Sequence, residues 1–319
     1  MPELPEVETI RQDLRKKLLN KTIVRLQIIR LSFAHPNAAK VIKVVQGAKI
    51  KAINRRGKLM IFVLSGVAGS GGGFTVSPLR TCLPAGRGRR SRGGRVSVAK
   101  YFLLLHLKMT GQLMYRIHGR TIAGGHSFPH ELNSLPNKHT QVIFTFADHS
   151  QLFFNDMRQF GYIKLVDEAG LATAESRFGI EAMDKKLTLD KFKDILGQRM
   201  APIKAVLLDQ TKIAGIGNIY ADEICFCASV RPNRKVKSLK AEEIKRLRAC
   251  IPSVLKIAIK NRGTTFSDYL DSEGKSGGHA KFLQVYDRDG EKCKRCKKGI
   301  IQKMRAAGRG THFCPVCQK

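Results

Sequence analysis

The first residues of this 319-residue chain, Met1-Pro2-Glu3-Leu4-Pro5-Glu6-Val7-Glu8, place a proline at position 2 among three carboxylates. Removal of Met1, favoured by the small residue after it, would leave Pro2 with a secondary amine at the chain terminus. An α-amino group titrates near pKa ~7.7–8, against ~10.4 for lysine. At neutral pH a fair fraction of it is nucleophilic, where an unperturbed lysine offers roughly one part in a few thousand. Attack of such an amine on a sugar C1′ would give an iminium, the Schiff-base intermediate of covalent catalysis. Glu3 and Glu6 would stand within reach as acid, base or orienting groups. The same residues also suit an ordinary helix start, because proline has no donor to orphan and acids favour the positive end of the helix dipole.

A second cluster with chemistry in it lies at the other end. Cys293-x2-Cys296 and Cys314-x2-Cys317 are separated by seventeen residues. Two such knuckles read as a tetrahedral site for one structural Zn2+ with four thiolate ligands; two disulfides or unliganded thiols are the alternative. With four cysteines no position is open for water, so catalysis belongs elsewhere. Residues 281–319 carry eleven basic and three acidic side chains, which suits a nucleic-acid backbone or groove. Cys82, Cys225, Cys227 and Cys250 are scattered and expected as free thiols in a reducing compartment.

The whole chain shares that charge. Lys and Arg outnumber Asp and Glu 58 to 25, for a formal net charge of +33. Such an excess points to a polyanionic partner, most often nucleic acid; a ribosome-associated role or a basic surface used for solubility are the plainer readings. There is no run of eighteen apolar residues and no apolar stretch behind the acidic start, so neither a membrane span nor a secretory signal is expected. The cytoplasm is the expected location.

These groups need elements to position them. Val7, Ile10, Leu14 and Leu18 form an apolar stripe that predicts a helix over 3–19. Thr22–Ile29, Val41–Val45, Lys49–Asn54, Leu59–Leu64, residues 101–107, Gln141–Phe146 and Gln151–Asn155 read as strands, and many short strands suggest a sandwich or barrel. Residues 66–98 interrupt them with nine glycines, six arginines and no acid. The strands on either side look like two arms of one hairpin, so 66–98 reads as an insertion at its tip, expected to be disordered. From 188 onward the pattern turns helical: Leu189–Gly197, Ala201–Asp209, Gly217–Cys227 and Ala241–Asn261, the last with Ser238, Glu242 and Glu243 as its start signal. A polar, glycine-rich loop follows at 262–280.

Taken in order, five stretches resemble formamidopyrimidine-DNA glycosylases: residues 1–8; His106-Leu107-Lys108-Met109-Thr110-Gly111; Asp156-Met157-Arg158-Gln159-Phe160-Gly161; Gly215-Ile216-Gly217-Asn218-Ile219-Tyr220-Ala221-Asp222-Glu223; and Gly308-Arg309-Gly310-Thr311-His312-Phe313-Cys314-Pro315-Val316-Cys317-Gln318. The resemblance covers the chain apart from 66–98. It implies an α+β multi-domain fold: an N-terminal helix plus β-sandwich (2–165), a linker (166–187), a helical domain with a helix–two-turn–helix and a lesion-binding loop (188–280), and a zinc-finger β-hairpin (281–319).

The resemblance also implies a bifunctional enzyme that removes oxidised purines, 8-oxoguanine and formamidopyrimidines, and then nicks the strand by β,δ-elimination. Pro2 would be the nucleophile, Glu3 the general acid that opens the deoxyribose, and Glu6 a supporting group. Lys58 matches a strand-borne lysine that contributes to phosphate contact and the elimination chemistry, and Arg309 a finger arginine that grips the phosphate by the lesion, both counted with the catalytic residues. Met109, Arg158 and Phe160 match a trio that fills the hole left by an extruded nucleotide; core packing is the alternative for Met109 and Phe160. Asn218, Lys204 and His139 would contact DNA. The implied partner is double-stranded DNA carrying oxidised bases or abasic sites, met by a monomer without membrane contact, at the nucleoid in a bacterium. An endonuclease VIII-type enzyme for oxidised pyrimidines is the first alternative; Leu4, where that sister usually has glycine, argues against it. A non-catalytic DNA-binding zinc-finger protein is the second.

Overall fold

A computed structural model describes residues 2–66, 101–125, 135–197, 199–264 and 278–319. The expected insertion at 66–98 and the centre of the 262–280 loop lie almost wholly outside the described residues.

The opening helix α1 (Leu4–Leu18) begins with Pro5 in its first turn, and Glu6 Oε2 accepts the Glu3 N–H at 2.9 Å. Val7, Ile10, Leu14 and Leu18 bury into one apolar core, whereas Leu4 buries into another. The helix therefore spans two cores, and the residues before Leu4 are drawn to the seam between them.

The first core lies between two five-stranded sheets. The strands are β1 (Ile23–Ile28), β2 (Ala34–His35), β3 (Lys49–Arg56), β4 (Leu59–Ser65), β5 (Tyr101–His106), β6 (Gly111–Ile117), β7 (Arg120–Gly125), β8 (Thr140–Phe146), β9 (Gln151–Asp156) and β10 (Tyr162–Val166). One sheet runs β1-β8-β9-β6-β7 and the other β2-β10-β5-β4-β3. Strands β4 and β5 pair antiparallel from Leu59↔His106 to Leu64↔Tyr101, so residues 66–100 do connect two arms of a hairpin. The unbroken apolar run of β4 has a physical cause. Met60, Phe62 and Leu64 face the sandwich core, while Leu59, Ile61 and Val63 pack under α3 (Glu168–Glu175), so the strand is covered on both faces.

One expected strand is a helix. Val41–Val45 belongs to α2 (Ala38–Val45), because the Asn37 side chain accepts the Lys40 N–H at 2.8 Å and starts a helix whose positions 41 and 45, one turn apart, are both buried.

The second half is helical: α4 (Leu189–Leu196), α5 (Ile203–Leu208), α6 (Asn218–Cys227) and α7 (Ala241–Lys260), with a short parallel bridge between β11 (Ile180–Glu181) and β12 (Ile213–Ala214). The start of α7 lies past Ser238: the Lys240 N–H bonds to Glu243 Oε2 at 2.8 Å. Cys227 and Cys250, expected as free thiols, form a disulfide that ties α6 to α7; their Cα atoms lie 5.9 Å apart once the two helices pack. The chain ends in a hairpin of β13 (Gln302–Ala306) and β14 (Arg309–Phe313), turned by Ala307 and Gly308, both at positive φ. Among the described residues no helix is long and apolar enough to cross a membrane.

Candidate active site and nucleic-acid interface

The seam holds the N-terminal residues by backbone and side chain. The Leu4 N–H donates to Gly215 O at 3.1 Å while its side chain enters the helical core. Pro2 and Glu3 are buried beside it. Glu3 Oε1 accepts the Ile219 N–H at 2.9 Å and Oε2 the Tyr220 N–H at 3.4 Å, so the carboxyl caps the first turn of α6. Gly217 makes room for it: a Cβ there would lie 2.5 Å from Glu3 Oε2. Burial raises the Glu3 carboxyl above its ordinary value; Lys58 and the two helix amides pull against this, and Glu6 adds to it. The result is a carboxyl inclined to hold a proton, which suits a general acid.

Lys58 enters from the turn between β3 and β4 and is 8% exposed. Burial lowers its amine below the ordinary lysine value, the charges of Glu3 and Glu6 oppose this, and Arg309 reinforces it. Residues from α1, the β3–β4 turn and the finger thus share one electrostatic neighbourhood. The turn is pinned by Glu181, which accepts from the Gly57 N–H and from Arg55 Nη1, the latter at 2.9 Å.

Glu6 is a buckle. Its Oε2 serves the Glu3 N–H, and its Oε1 accepts from Tyr220 Oη at 2.6 Å, Thr264 N at 2.8 Å and Thr264 Oγ1 at 3.1 Å. It joins α1, α6 and the segment after α7, and its lone pairs are committed to that task. Tyr220 and Thr264 were not singled out from sequence. A phenol and a hydroxyl 44 residues apart carry no local signal, and only the meeting of three elements around Glu6 reveals them.

Two loops project from the sandwich. Arg158 and Phe160 are exposed in the loop after β9, with the Arg158 guanidinium 5.0 Å from the Phe160 ring centre. Phe160 is 53% exposed, which excludes core packing for it. Met109 is half-buried in the turn after β5. Asp156, fully buried and given no role from the sequence although it opens one of the motifs, fastens both loops: it accepts from Thr110 Oγ1 at 2.5 Å, Arg158 N at 3.2 Å and Gly161 N at 2.6 Å. His139 is half-buried at the root of the same loop, its carbonyl accepting the Asp156 N–H at 2.9 Å. His106, in the first of these motifs, accepts the Lys108 N–H; burial, with Lys108 and Lys58, lowers it to about 3, so it is neutral at physiological pH.

The finger is fixed to α6 by adjacent acids. Glu223 accepts the N–H groups of Gln284, Val285 and Tyr286, and Asp222 accepts that of His312 at 2.9 Å. Asn218 Nδ2 donates to Gly310 O at 3.1 Å beside the exposed Arg309. Lys204 corrects an expectation. It is 0% exposed, paired with Asp222 at 2.7 Å and bonded to Thr311 Oγ1 at 2.8 Å. Its charge is spent inside the protein on holding the finger, so it is not a phosphate contact here.

The four finger cysteines gather their sulfurs within 4.8 Å, with Cys293–Cys317 and Cys296–Cys314 each at 3.8 Å. Thiolates bound tetrahedrally at about 2.3 Å from Zn2+ lie about 3.8 Å apart, so the set fits one zinc ion. The finger's apolar cluster is only Phe226, Val285, Ile301 and the cysteines, too little for a stable unit alone. Zinc removal by chelation, or Cys296→Ser, is therefore expected to open residues 290–319 to limited proteolysis in step with loss of one zinc; a finger equally protected without metal would contradict this.

Models of the formamidopyrimidine-DNA glycosylase N-terminal domain, its H2TH domain and the zinc finger found in FPG and IleRS match residues 1–163, 178–269 and 290–319. The chain is 36% identical over 322 residues to the formamidopyrimidine-DNA glycosylase of Pelotomaculum thermopropionicum, covering 100% of this chain and 99% of the relative. It is 35% identical to that of Prochlorococcus marinus strain MIT 9312, covering 100% of both. Among solved structures, Lactococcus lactis Fpg bound to DNA with an abasic site is similar at TM-score 0.78 and 30% identity, and a mutant of it with Fapy-dG-containing DNA at the same values, each covering 100% of both chains. Three matched regions in order, full-length relatives and a shared structure converge: the chain belongs to the formamidopyrimidine-DNA glycosylase family.

Proposed function

We propose that the protein excises oxidised purines, 8-oxoguanine and formamidopyrimidines, from duplex DNA and cleaves the strand at the resulting abasic site. The observation that carries this reading is the seating of Pro2 and Glu3 at the seam, with the Glu3 carboxyl on the N-terminus of α6 and in the field of Lys58. The Pro2 amine, freed by loss of Met1, attacks C1′ and gives up its N–H proton; the C1′–base bond breaks and the base departs, taking up one proton. Glu3 gives its proton to the ring oxygen, the deoxyribose opens, and an iminium joins Pro2 to the sugar. Loss of a C2′ proton then expels the 3′ phosphate, loss of a C4′ proton expels the 5′ phosphate, and water hydrolyses the iminium to free the Pro2 amine and release the sugar fragment. This leaves a one-nucleotide gap with phosphate ends. Lys58 and Arg309 hold the phosphates beside the lesion, and Asn218 and His139 add contacts along the strand. Met109, Arg158 and Phe160 occupy the vacated space in the duplex. The work takes place at the nucleoid of a bacterial cell, by a monomer.

Borohydride trapping on a duplex with 8-oxoguanine opposite cytosine, followed by peptide mapping, tests this. An adduct at an N-terminal Pro2 is expected. An adduct on a plain abasic site but none on 8-oxoguanine would move the substrate to oxidised pyrimidines, and none on either would leave only binding. Binding itself should weaken steeply with salt, since several cationic side chains neutralise phosphates; an affinity flat across a salt titration would contradict the assigned contacts.

A further inference from the structure

His312 lies in β14, three residues beyond Arg309, and is 3% exposed, yet neither ring nitrogen makes a hydrogen bond. Nε2 faces Asp289 Oδ1 at 3.5 Å and Nδ1 faces Asp222 Oδ2 at 3.7 Å. Asp287 completes a cluster in which one ligand atom from each of Asp287, Asp289 and His312 lies within 4.8 Å of the others. Exposed carboxylates alone would be an ordinary solvated turn. A buried imidazole whose two nitrogens make no hydrogen bond, one of them aimed at these carboxylates, requires a further reason.

The turn that carries the acids is built in advance. Glu223 holds the three N–H groups before it, Asp287 sits at φ +56, and Arg288 turns away to Gln284 O at 2.6 Å and Glu291 at 2.8 Å. Two carboxylates with one residue between them are left beside the imidazole, and the Tyr286 ring packs on its edge at 5.1 Å. Of the three acids among residues 281–319, two stand here.

We propose that His312 Nε2 and the carboxylates of Asp287 and Asp289 form a second divalent-cation site, distinct from the four-cysteine cluster. Ligands at about 2.0–2.2 Å lie at most about 4.4 Å apart, so small rotations of the two exposed carboxylates close the set. Asp222, neutralised by Lys204, stands behind Nδ1 where a ligating histidine needs a carboxylate to orient its other N–H. One nitrogen and carboxylate oxygens select a borderline or hard ion, Mn2+ or Zn2+ rather than a thiolate-seeking one, with water filling the remaining positions. The ion would clamp the 286–290 turn to the strand that begins with Arg309. The proposal stands on these residues alone and does not depend on the glycosylase reading.

The test uses the full chain with its finger zinc confirmed by metal analysis. Mn2+ is titrated in and free Mn2+ is read by electron paramagnetic resonance, because Mn2+ leaves a four-thiolate site to zinc. One saturable Mn2+ per chain is expected, with paramagnetic broadening centred on the His312 ring. The double variant Asp287→Asn/Asp289→Asn should bind at least tenfold more weakly while keeping one zinc and the thermal midpoint of the zinc-loaded, Mn2+-free parent. No saturable binding up to about millimolar Mn2+, binding that the double variant retains, or broadening away from His312 would each overturn the proposal.

Discussion

Replacing Glu3 by Gln is expected to slow excision of 8-oxoguanine by about 10²–10⁴-fold, the range a positioned general acid supplies. The amide oxygen can still accept the Ile219 N–H that seats the carboxyl now, and Gln fills nearly the same volume, so the thermal midpoint should move little. Cleavage at a preformed abasic site should fall much less, because that sugar already offers an aldehyde and needs no proton to open its ring. The pH profile carries the same information. Burial raises the Glu3 carboxyl, so its acid form persists to higher pH than that of a free glutamate. Excision should therefore decline as pH rises through that raised value, and the Gln variant should lack this limb. Equal losses on damaged-base and abasic substrates would remove Glu3 from the ring-opening step and leave it a positioning residue.

The parts of this site that could be read from sequence are those whose chemistry is local. The apolar stripe of α1, the paired CxxC knuckles and the acids around Pro2 each declare themselves within a few residues. What could not be read depends on where a side chain ends up. Lys204 looks like any lysine on a basic protein, and only its enclosure with Asp222 and Thr311 turns it from a phosphate contact into an internal strut. Val41–Val45 has strand composition, but Asn37 starts a helix there and burial of one face sustains it. Cys227 and Cys250 meet because α6 and α7 pack, a fact of tertiary structure. Asp156 was visible within a motif, yet its task appears only when two loops distant in sequence are found to share it. Those loops stand or fall together. Removing that acceptor would strand the buried Gly161 N–H at about 1–3 kcal/mol and release the part-buried bonds to Thr110 and Arg158.

The second large effect belongs to a residue with no functional group. Gly217→Ala is expected to lower excision about 10²-fold, the scale set by an ångström-sized misplacement of a catalytic group. Gly217 has φ −126°, a conformation open to any residue, so its backbone gives no reason for glycine. The reason is space. An added methyl would sit 2.5 Å from Glu3 Oε2 and nearer still to the carboxyl carbon. Glu3 cannot retreat easily, since Leu4 is buried and its N–H is held by Gly215 O. Either the carboxyl leaves the first turn of α6 or the turn moves away from α1, and both separate the acid from the amine beside it. Because the three atoms nearest the added methyl all belong to Glu3, affinity for undamaged DNA should stay near that of the parent while excision falls. A variant that binds poorly would point to collapse of the α6 turn as a whole. One that excises normally would show that Glu3 need not sit on that helix, and would withdraw the geometric basis for its role as the acid.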